Sequence, residues 1–211
     1  MAERRVLLFD MDGVLIESLE AYRYAYTCWA KIYRIERSQF PRDLHGRRPE
    51  DVIASIMVDA PPARVVEALE SFERLMEEGT SKAVAMPGAQ ALVAALPPDR
   101  WAVVTSARRR YGPALLAAAG VEPPAVMVCG DDTTQGKPDP ECFLKAARAL
   151  GAAPAACTVV EDAPVGIQAA LRGGMSVVAV ATTHKPEALS GAPRVYDSLA
   201  AASADLLELV R

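Results

Sequence analysis

The chain has 211 residues, of which 51% are hydrophobic and 24% are charged, and its net charge is −4. This balance supplies a sizeable core and gives no reason to expect nucleic acid as a partner, and no apolar run approaches the roughly 20 residues of a membrane span. The apolar stretch near the N-terminus is too short for a signal peptide, so we expect a cytoplasmic protein that does not bind membranes.

Histidine and cysteine usage excludes several kinds of chemistry. The chain has only two histidines, His45 and His184, so a three-histidine zinc site is impossible, and the HExxH motif is absent. The four cysteines lie far apart without CxxC spacing. In a cytoplasmic chain we expect them to be reduced.

The first 82 residues predict one strand followed only by helices. Residues 4–9 form a short apolar run that ends at a carboxylate. Residues 18–33 carry apolar side chains at spacings of three and four, which is typical of a helix, and Ser18 is its expected N-cap. Further helices are predicted at 49–59 and 62–78, and no strand is expected between residues 16 and 82.

From residue 89 onward, short apolar strands alternate with helices, which is typical of a parallel sheet covered on both faces. The predicted fold class is α/β, a doubly wound parallel sheet with an inserted all-helical domain. We expect a core domain of residues 1–15 and 83–211 and a cap domain of residues 16–82. The predicted strands are 101–105, 126–128, 158–160, 176–180 and 194–196, and the helices are 89–96, 110–119, 140–150, 164–172 and 203–210.

Polar side chains follow four of these strands, at the edge of an open α/β sheet where ligands bind. Asp10 and Asp12 would point the same way and repel each other unless a cation lies beside them. With Asp162 they form a set of oxygen ligands that suits Mg²⁺. Lys137 and the hydroxyls of Thr105 and Ser106 suit the oxygens of a phosphoryl group, and a carboxylate nucleophile beside it can form an aspartyl-phosphate.

These residues lie in four motifs that resemble those of the haloacid dehalogenase superfamily and that occur in the same order. The helical insert resembles the cap of the β-phosphoglucomutase-like branch, and the whole chain is most similar to the sugar phosphatases and glycerol phosphatases of that branch. The motifs are Asp10-Met11-Asp12-Gly13-Val14-Leu15, Val103-Val104-Thr105-Ser106, Gly136-Lys137-Pro138-Asp139-Pro140 and Val160-Glu161-Asp162-Ala163-Pro164.

The resemblance implies a Mg²⁺-dependent phosphatase of small phosphate monoesters. It implies that Asp10 attacks phosphorus and binds the metal, and that Asp12 acts as general acid and base and binds the metal through its main-chain carbonyl. Asp162 would be a direct metal ligand, and Glu161 a ligand either directly or through water. The phosphoryl group would be held by Thr105, Ser106 and Lys137.

The cap is harder to interpret from sequence. His45 and Arg47 lie in a connection between two cap helices and could reach the substrate, as could Glu17 at the entrance, although a solvated loop explains the first two equally well. The three arginines 108–110 are expected to be a surface run. The aromatic stripe of the first cap helix, which includes Tyr22 and Tyr26, is expected to be cap core.

Two other functions stay open. The mutases of this branch use a cap histidine, and an ungapped alignment places Tyr22 at that position, which argues against a phosphomutase. A non-catalytic binding protein on the same fold is the weaker alternative. The sequence does not define the oligomeric state or the particular phosphorylated metabolite that is the substrate.

Overall fold

The computed structural model, which describes residues 4–41, 44 and 46–211, contains a six-stranded parallel sheet and a two-stranded antiparallel ribbon. The order of the large sheet is β5-β4-β1-β6-β7-β8. Strands β4 and β6 lie on opposite sides of β1. The direction in which successive strands are added to the sheet therefore reverses beside β1. The strands are β1 (Val6–Phe9), β2 (Ile16–Glu17), β3 (Val84–Ala85), β4 (Trp101–Val104), β5 (Met127–Val128), β6 (Cys157–Glu161), β7 (Ser176–Val180) and β8 (Arg194–Tyr196).

Eight α-helices in the described residues surround the sheet or form the insert. Alternate residues of β1 face opposite ways, so that Leu7 and Phe9 join one buried cluster and Val6 and Leu8 join another. Helices α4, α5 and α8 pack in the first cluster, and α6 and α7 in the second. The sheet is therefore covered on both faces, as predicted. The helices are α1 (Leu19–Tyr33), α2 (Pro49–Ile56), α3 (Pro62–Gly79), α4 (Ala89–Ala95), α5 (Gly112–Ala118), α6 (Glu141–Ala149), α7 (Pro164–Arg172) and α8 (Leu199–Leu209).

The expectation that residues 16–82 contain no strand is wrong at its first two residues. Strand β2 pairs with β3 in an antiparallel ribbon, with Ile16 opposite Ala85 and Glu17 opposite Val84. A two-residue strand is too short to show the alternation that predicts a strand, and its partner lies 68 residues further along the chain. The ribbon joins the two connections between the sheet and the helical insert.

Element ends differ from prediction where side chains take other roles. Helix α1 begins directly after Ser18, but the Ser18 hydroxyl forms no cap and donates instead to Oδ1 of Asp12. Helix α8 begins four residues before the predicted position, capped by the Ser198 hydroxyl, which accepts from the Ala201 N–H at 3.2 Å. All four cysteines are free thiols, as expected. In the part of the chain that the structure describes, no helix combines the length and apolar character that crossing a membrane requires.

Candidate active site

Two aspartates leave the carboxyl end of β1 on a tight turn. Asp10 is 5% exposed, and its N–H donates to the carbonyl of Val160 on the neighbouring strand at 2.9 Å. The turn continues through Gly13, whose φ of +80° favours glycine. A Cβ atom at Gly13 would lie 2.1 Å from Oδ2 of Asp162. The missing side chain thus allows the β1 turn to approach the carboxylate that follows β6.

Lys137 connects the carboxylate that follows β1 with the carboxylate at the last residue of β6. Its Nζ lies 2.5 Å from Oδ1 of Asp10 and 2.7 Å from Oε1 of Glu161, and its side chain is only 2% exposed. Glu161 is fully buried, and its Oε2 accepts the N–H groups of Asp162 and Ala163, each at 2.8 Å. With both oxygens engaged, Glu161 fixes the position of the Lys137 ammonium group beside Asp10.

Three buried carboxylates lie close enough to share one cation. Asp10, Glu161 and Asp162 each offer an oxygen, and these oxygens lie within 4.8 Å of one another. The Thr183 hydroxyl donates to Oδ2 of Asp162, which sets the direction of that carboxylate. Hard oxygen donors without histidine or cysteine are the set that Mg²⁺ prefers, so the residues present fit this ion.

Burial makes the negative charge of this cluster costly. The pKa of Asp10 is raised to about 7. Burial makes the largest contribution and the charges of Glu161 and Asp12 raise the pKa as well, whereas Lys137 lowers it. The pKa of Asp162 is raised well above its usual value, first by burial and then by the charges of Glu161 and Asp10. Burial alone would lower the pKa of Lys137, but the two adjacent carboxylates raise it above its usual value. One ammonium group therefore faces three carboxylates, and a divalent cation would offset the remaining repulsion.

Two hydroxyl groups, rather than Lys137, donate hydrogen bonds to the Asp12 carboxylate. Its Oδ1 accepts from Ser18, and its Oδ2 accepts from Thr105 at 3.4 Å. Burial raises the pKa of Asp12 to about 6, although these two hydrogen bonds lower it. Its carboxyl group can therefore exist in either protonation state near neutral pH. The Ser106 hydroxyl, which the sequence suggested for the phosphoryl group, donates to the carbonyl of Gly46 in the insert at 2.7 Å.

A cavity of about 1350 Å³ opens over Asp10 and Asp12 and runs along α1. Glu17, predicted at the entrance, and Arg47, predicted to reach the substrate, both line this cavity and are exposed. His45 lies outside the described residues. Tyr22 and Tyr26 pack against the hydrophobic core, as expected for the aromatic stripe of the first cap helix. These rings pack against Phe72, at 6.5 and 4.5 Å between ring centroids, and also line the cavity.

Side chains from the four sequence motifs meet at one edge of the sheet. Comparison with known proteins places the chain in a family. A family model described as haloacid dehalogenase-like hydrolase matches residues 5–174. The chain belongs to this hydrolase family. Both the predicted superfamily and the predicted fold are thereby confirmed.

Several relatives and solved structures match most of the hydrolase. Hexitol phosphatase A of Escherichia coli is 34% identical over 178 residues, covering 82% of this chain and 81% of the relative. Glycerol-1-phosphate phosphohydrolase 2 of Saccharomyces cerevisiae is 32% identical over 191 residues, covering 83% and 74% respectively. The crystal structure of β-phosphoglucomutase from Clostridium difficile has a TM-score of 0.81 at 20% identity, covering 97% of this chain and 95% of that one. That similarity shows a shared fold.

Sequence reasoning missed Thr183 and the buried Arg48 of the hydrolase. Thr183 comes shortly after β7, at the carboxyl edge of the sheet where ligands bind. This position in the sequence could have marked it as a site residue. Arg48 is 9% exposed, and its guanidinium donates across to the carbonyls of Thr133 and Thr134 at 3.0 and 3.3 Å while pairing with Asp51 at 2.8 Å. Its sequence neighbourhood of charged residues resembles a solvated loop, so burial could not be foreseen.

The expectation that residues 108–110 form a surface run is confirmed for Arg109 and Arg110, which are exposed, whereas Arg108 is partly buried. Arg108 pairs with Glu73 of α3, and its Nη1 atom lies 3.5 Å from Oε1 of Glu50 of α2. Arg110 pairs with Glu77 at 2.8 Å and with Glu73 at 3.4 Å. The third member, Arg109, pairs with Asp132 within the sheet domain. Arg108 and Arg110, together with Arg48, join the helical insert to the rest of the hydrolase.

Proposed function

We propose that this hydrolase is a Mg²⁺-dependent phosphatase of small phosphate monoesters, such as sugar or glycerol phosphates. The observation that carries the proposal is the buried Asp10 carboxylate, held 2.5 Å from the Lys137 ammonium group and beside Asp162. This arrangement suits a nucleophile that must align with phosphorus while positive charge offsets the phosphoryl oxygens. The substrate class is supported by the relatives named as hexitol and glycerol phosphate hydrolases.

The carboxylates of Asp10 and Asp162 and the main-chain carbonyl of Asp12 would hold the Mg²⁺ ion. Glu161 is the weakest ligand of the set, because its two oxygens already accept three hydrogen bonds. When bound, the ion neutralises negative charge on the phosphoryl oxygens and on the carboxylates around them.

Hydrolysis then proceeds in two displacements at phosphorus. A carboxylate oxygen of Asp10 attacks phosphorus, and the bond to the leaving oxygen breaks as Asp12 donates a proton to that oxygen. Asp12 next accepts a proton from water, which attacks the aspartyl-phosphate, releases inorganic phosphate and restores Asp10. A pKa of about 6 suits a group that acts first as acid and then as base. Thr105 orients Asp12, and Lys137 binds the phosphoryl oxygens.

The proposed division into a cap of residues 16–82 and a core of residues 1–15 and 83–211 gives the site a cover. The cap would move about the connections near residues 15–17 and 80–87 to admit the substrate and then exclude water. The ribbon of β2 and β3 joins these two connections, so they would move together.

Phosphate release from a panel of monoesters, with and without Mg²⁺, tests this function. The proposal expects Mg²⁺-dependent release that Asp10→Asn abolishes and that Asp99→Asn, an exposed aspartate outside the site, leaves intact. Isomerised sugar phosphate without free phosphate would instead identify a mutase, although Tyr22 stands where the ungapped alignment expects the mutase histidine. Binding without turnover across the panel would indicate a binding protein.

A further inference from the structure

The cavity over the catalytic aspartates is larger than a three-carbon phosphate requires. Its volume of about 1350 Å³ exceeds the roughly 300–1,000 Å³ of most small-molecule sites. Tyr22 and Arg34 both line it, and their separation of twelve positions corresponds to about 18 Å along α1. The aromatic rings of Tyr26 and Phe40 lie along the same wall. The cavity can therefore hold an elongated ligand with one end at Asp10.

The far part of this cavity carries a surplus of positive charge. Apart from Asp10 and Asp12, the described residues that line the cavity include five basic side chains and two acidic ones, Glu17 and Glu36, although the whole chain has a net charge of −4. The charged residues of the far part are Lys31, Arg34, Glu36 and Arg37. These basic side chains are exposed at the cavity wall, and a local surplus of positive charge on an acidic protein favours an anionic ligand. Within the described ranges, four of the five basic side chains form no ion pair or side-chain hydrogen bond: Lys31, Arg34, Arg37 and Arg47.

Arg34 occupies a backbone position at which helices favour glycine. It ends α1 with φ of 57° and ψ of 43°, and its N–H donates to the carbonyl of Ala30. Among the described residues, it is the only non-glycine residue with positive φ. Glycine adopts this conformation without the steric cost that an arginine incurs. Helix termination alone therefore does not explain an arginine here, and this arginine lines the cavity.

We propose that the preferred substrate is an elongated phosphate monoester, of about disaccharide length, with a second anionic group at the end remote from the scissile phosphate. That group, a phosphate or a carboxylate, binds to the cations at the carboxyl end of α1, chiefly Arg34 and Arg37. The intervening sugar-like body lies against Tyr26 and Phe40. This inference rests on the proposed phosphatase activity and adds the chemistry of the rest of the substrate.

Three esters of equal length test this inference: a disaccharide monophosphate, the corresponding bisphosphate, and the monophosphate whose far ring is a uronic acid. KM and kcat are measured for each with the Mg²⁺-loaded enzyme. We expect KM to be about fivefold lower for the doubly anionic esters than for the monophosphate, as one partly exposed ion pair would give. The advantage should shrink as ionic strength rises, because salt screens exposed charges.

Arg34→Gly separates recognition from folding. The glycine relieves the strained backbone, so the midpoint of urea unfolding should rise or stay constant, while the KM advantage of the doubly anionic esters disappears. Arg148→Gln, which removes an exposed arginine of α6 outside the cavity, is the matched control and should keep that advantage.

The outcomes distinguish this inference from the proposed function. A lower KM for both doubly anionic esters, or for the bisphosphate or the uronic acid alone, supports the second subsite and identifies the group it prefers. Equal KM values for all three esters, or an advantage that persists in Arg34→Gly, would overturn the subsite while the phosphatase activity stands. Absence of phosphate release from these esters and from the simple sugar and glycerol phosphates would overturn the proposed function itself.

Discussion

Replacement of Lys137 by methionine removes the positive charge that pairs with the Asp10 and Glu161 carboxylates while nearly preserving side-chain length. The Lys137 side chain is 2% exposed, and its Nζ lies 2.5 and 2.7 Å from the two carboxylate oxygens. Breaking a buried ion pair costs about 3–5 kcal/mol, because it leaves an uncompensated buried charge. We therefore expect the free energy of unfolding to fall by about that amount at pH 8 and by less at pH 6, where Asp10 can take up a proton.

The same substitution should lower kcat about 10²–10³-fold, the usual effect of removing one group that stabilises transition-state charge. Urea unfolding and phosphate release measure the two effects separately. The matched control is Lys145→Met, which removes a partly exposed pair with Glu141 at 2.8 Å and should cost less than about 1 kcal/mol. A Lys137→Met variant with wild-type kcat, or with a stability loss no larger than that of the control, would refute the assigned role.

Three further outcomes are expected. Asp12→Asn should lower kcat about 10²–10⁴-fold while Mg²⁺ binding, followed by calorimetry, stays near wild type; unchanged kcat would exclude the acid–base role. Because the pKa of Asp10 is raised from 3.8 to about 7, the metal-free folded protein binds more protons than the unfolded chain between these values. Its free energy of unfolding should therefore fall as pH rises from about 4 to about 7, and Mg²⁺ should reverse the fall; urea melts insensitive to both would contradict this. Glu73→Gln, which loosens the contact with Arg108, should speed hydrogen exchange in α2 and α3 more than Glu67→Gln, whose partner Arg64 lies in the same helix; equal rates would contradict a role in holding the insert.

The sheet could be predicted because its signals are local. Most strands of the sheet are short apolar runs, and polar residues follow several of them at the edge where ligands bind, as Asp10 follows β1 and Asp162 follows β6. A parallel sheet brings such ends together whatever the loops do. The grouping of Asp10, Lys137 and Asp162 at this edge could therefore be predicted from the sequence alone.

Contacts between the insert and the core could not be predicted, because they depend on residues far apart in the chain. Arg48 and Arg108 have the appearance of surface charges until the tertiary structure supplies their carbonyl and carboxylate partners. Ser18 has the sequence signature of an N-cap, but its hydroxyl bonds to Asp12 instead. The strain at Arg34 is likewise invisible without backbone angles.

Rapid acid quenching of the enzyme during turnover of a radiolabelled phosphate monoester tests the central claim most directly. The account predicts transient label on the peptide that contains Asp10, in a form that hydroxylamine releases, and none in Asp10→Asn. Label on a different residue, or full-rate hydrolysis with no protein-bound phosphate at any time point, would contradict nucleophilic attack by Asp10.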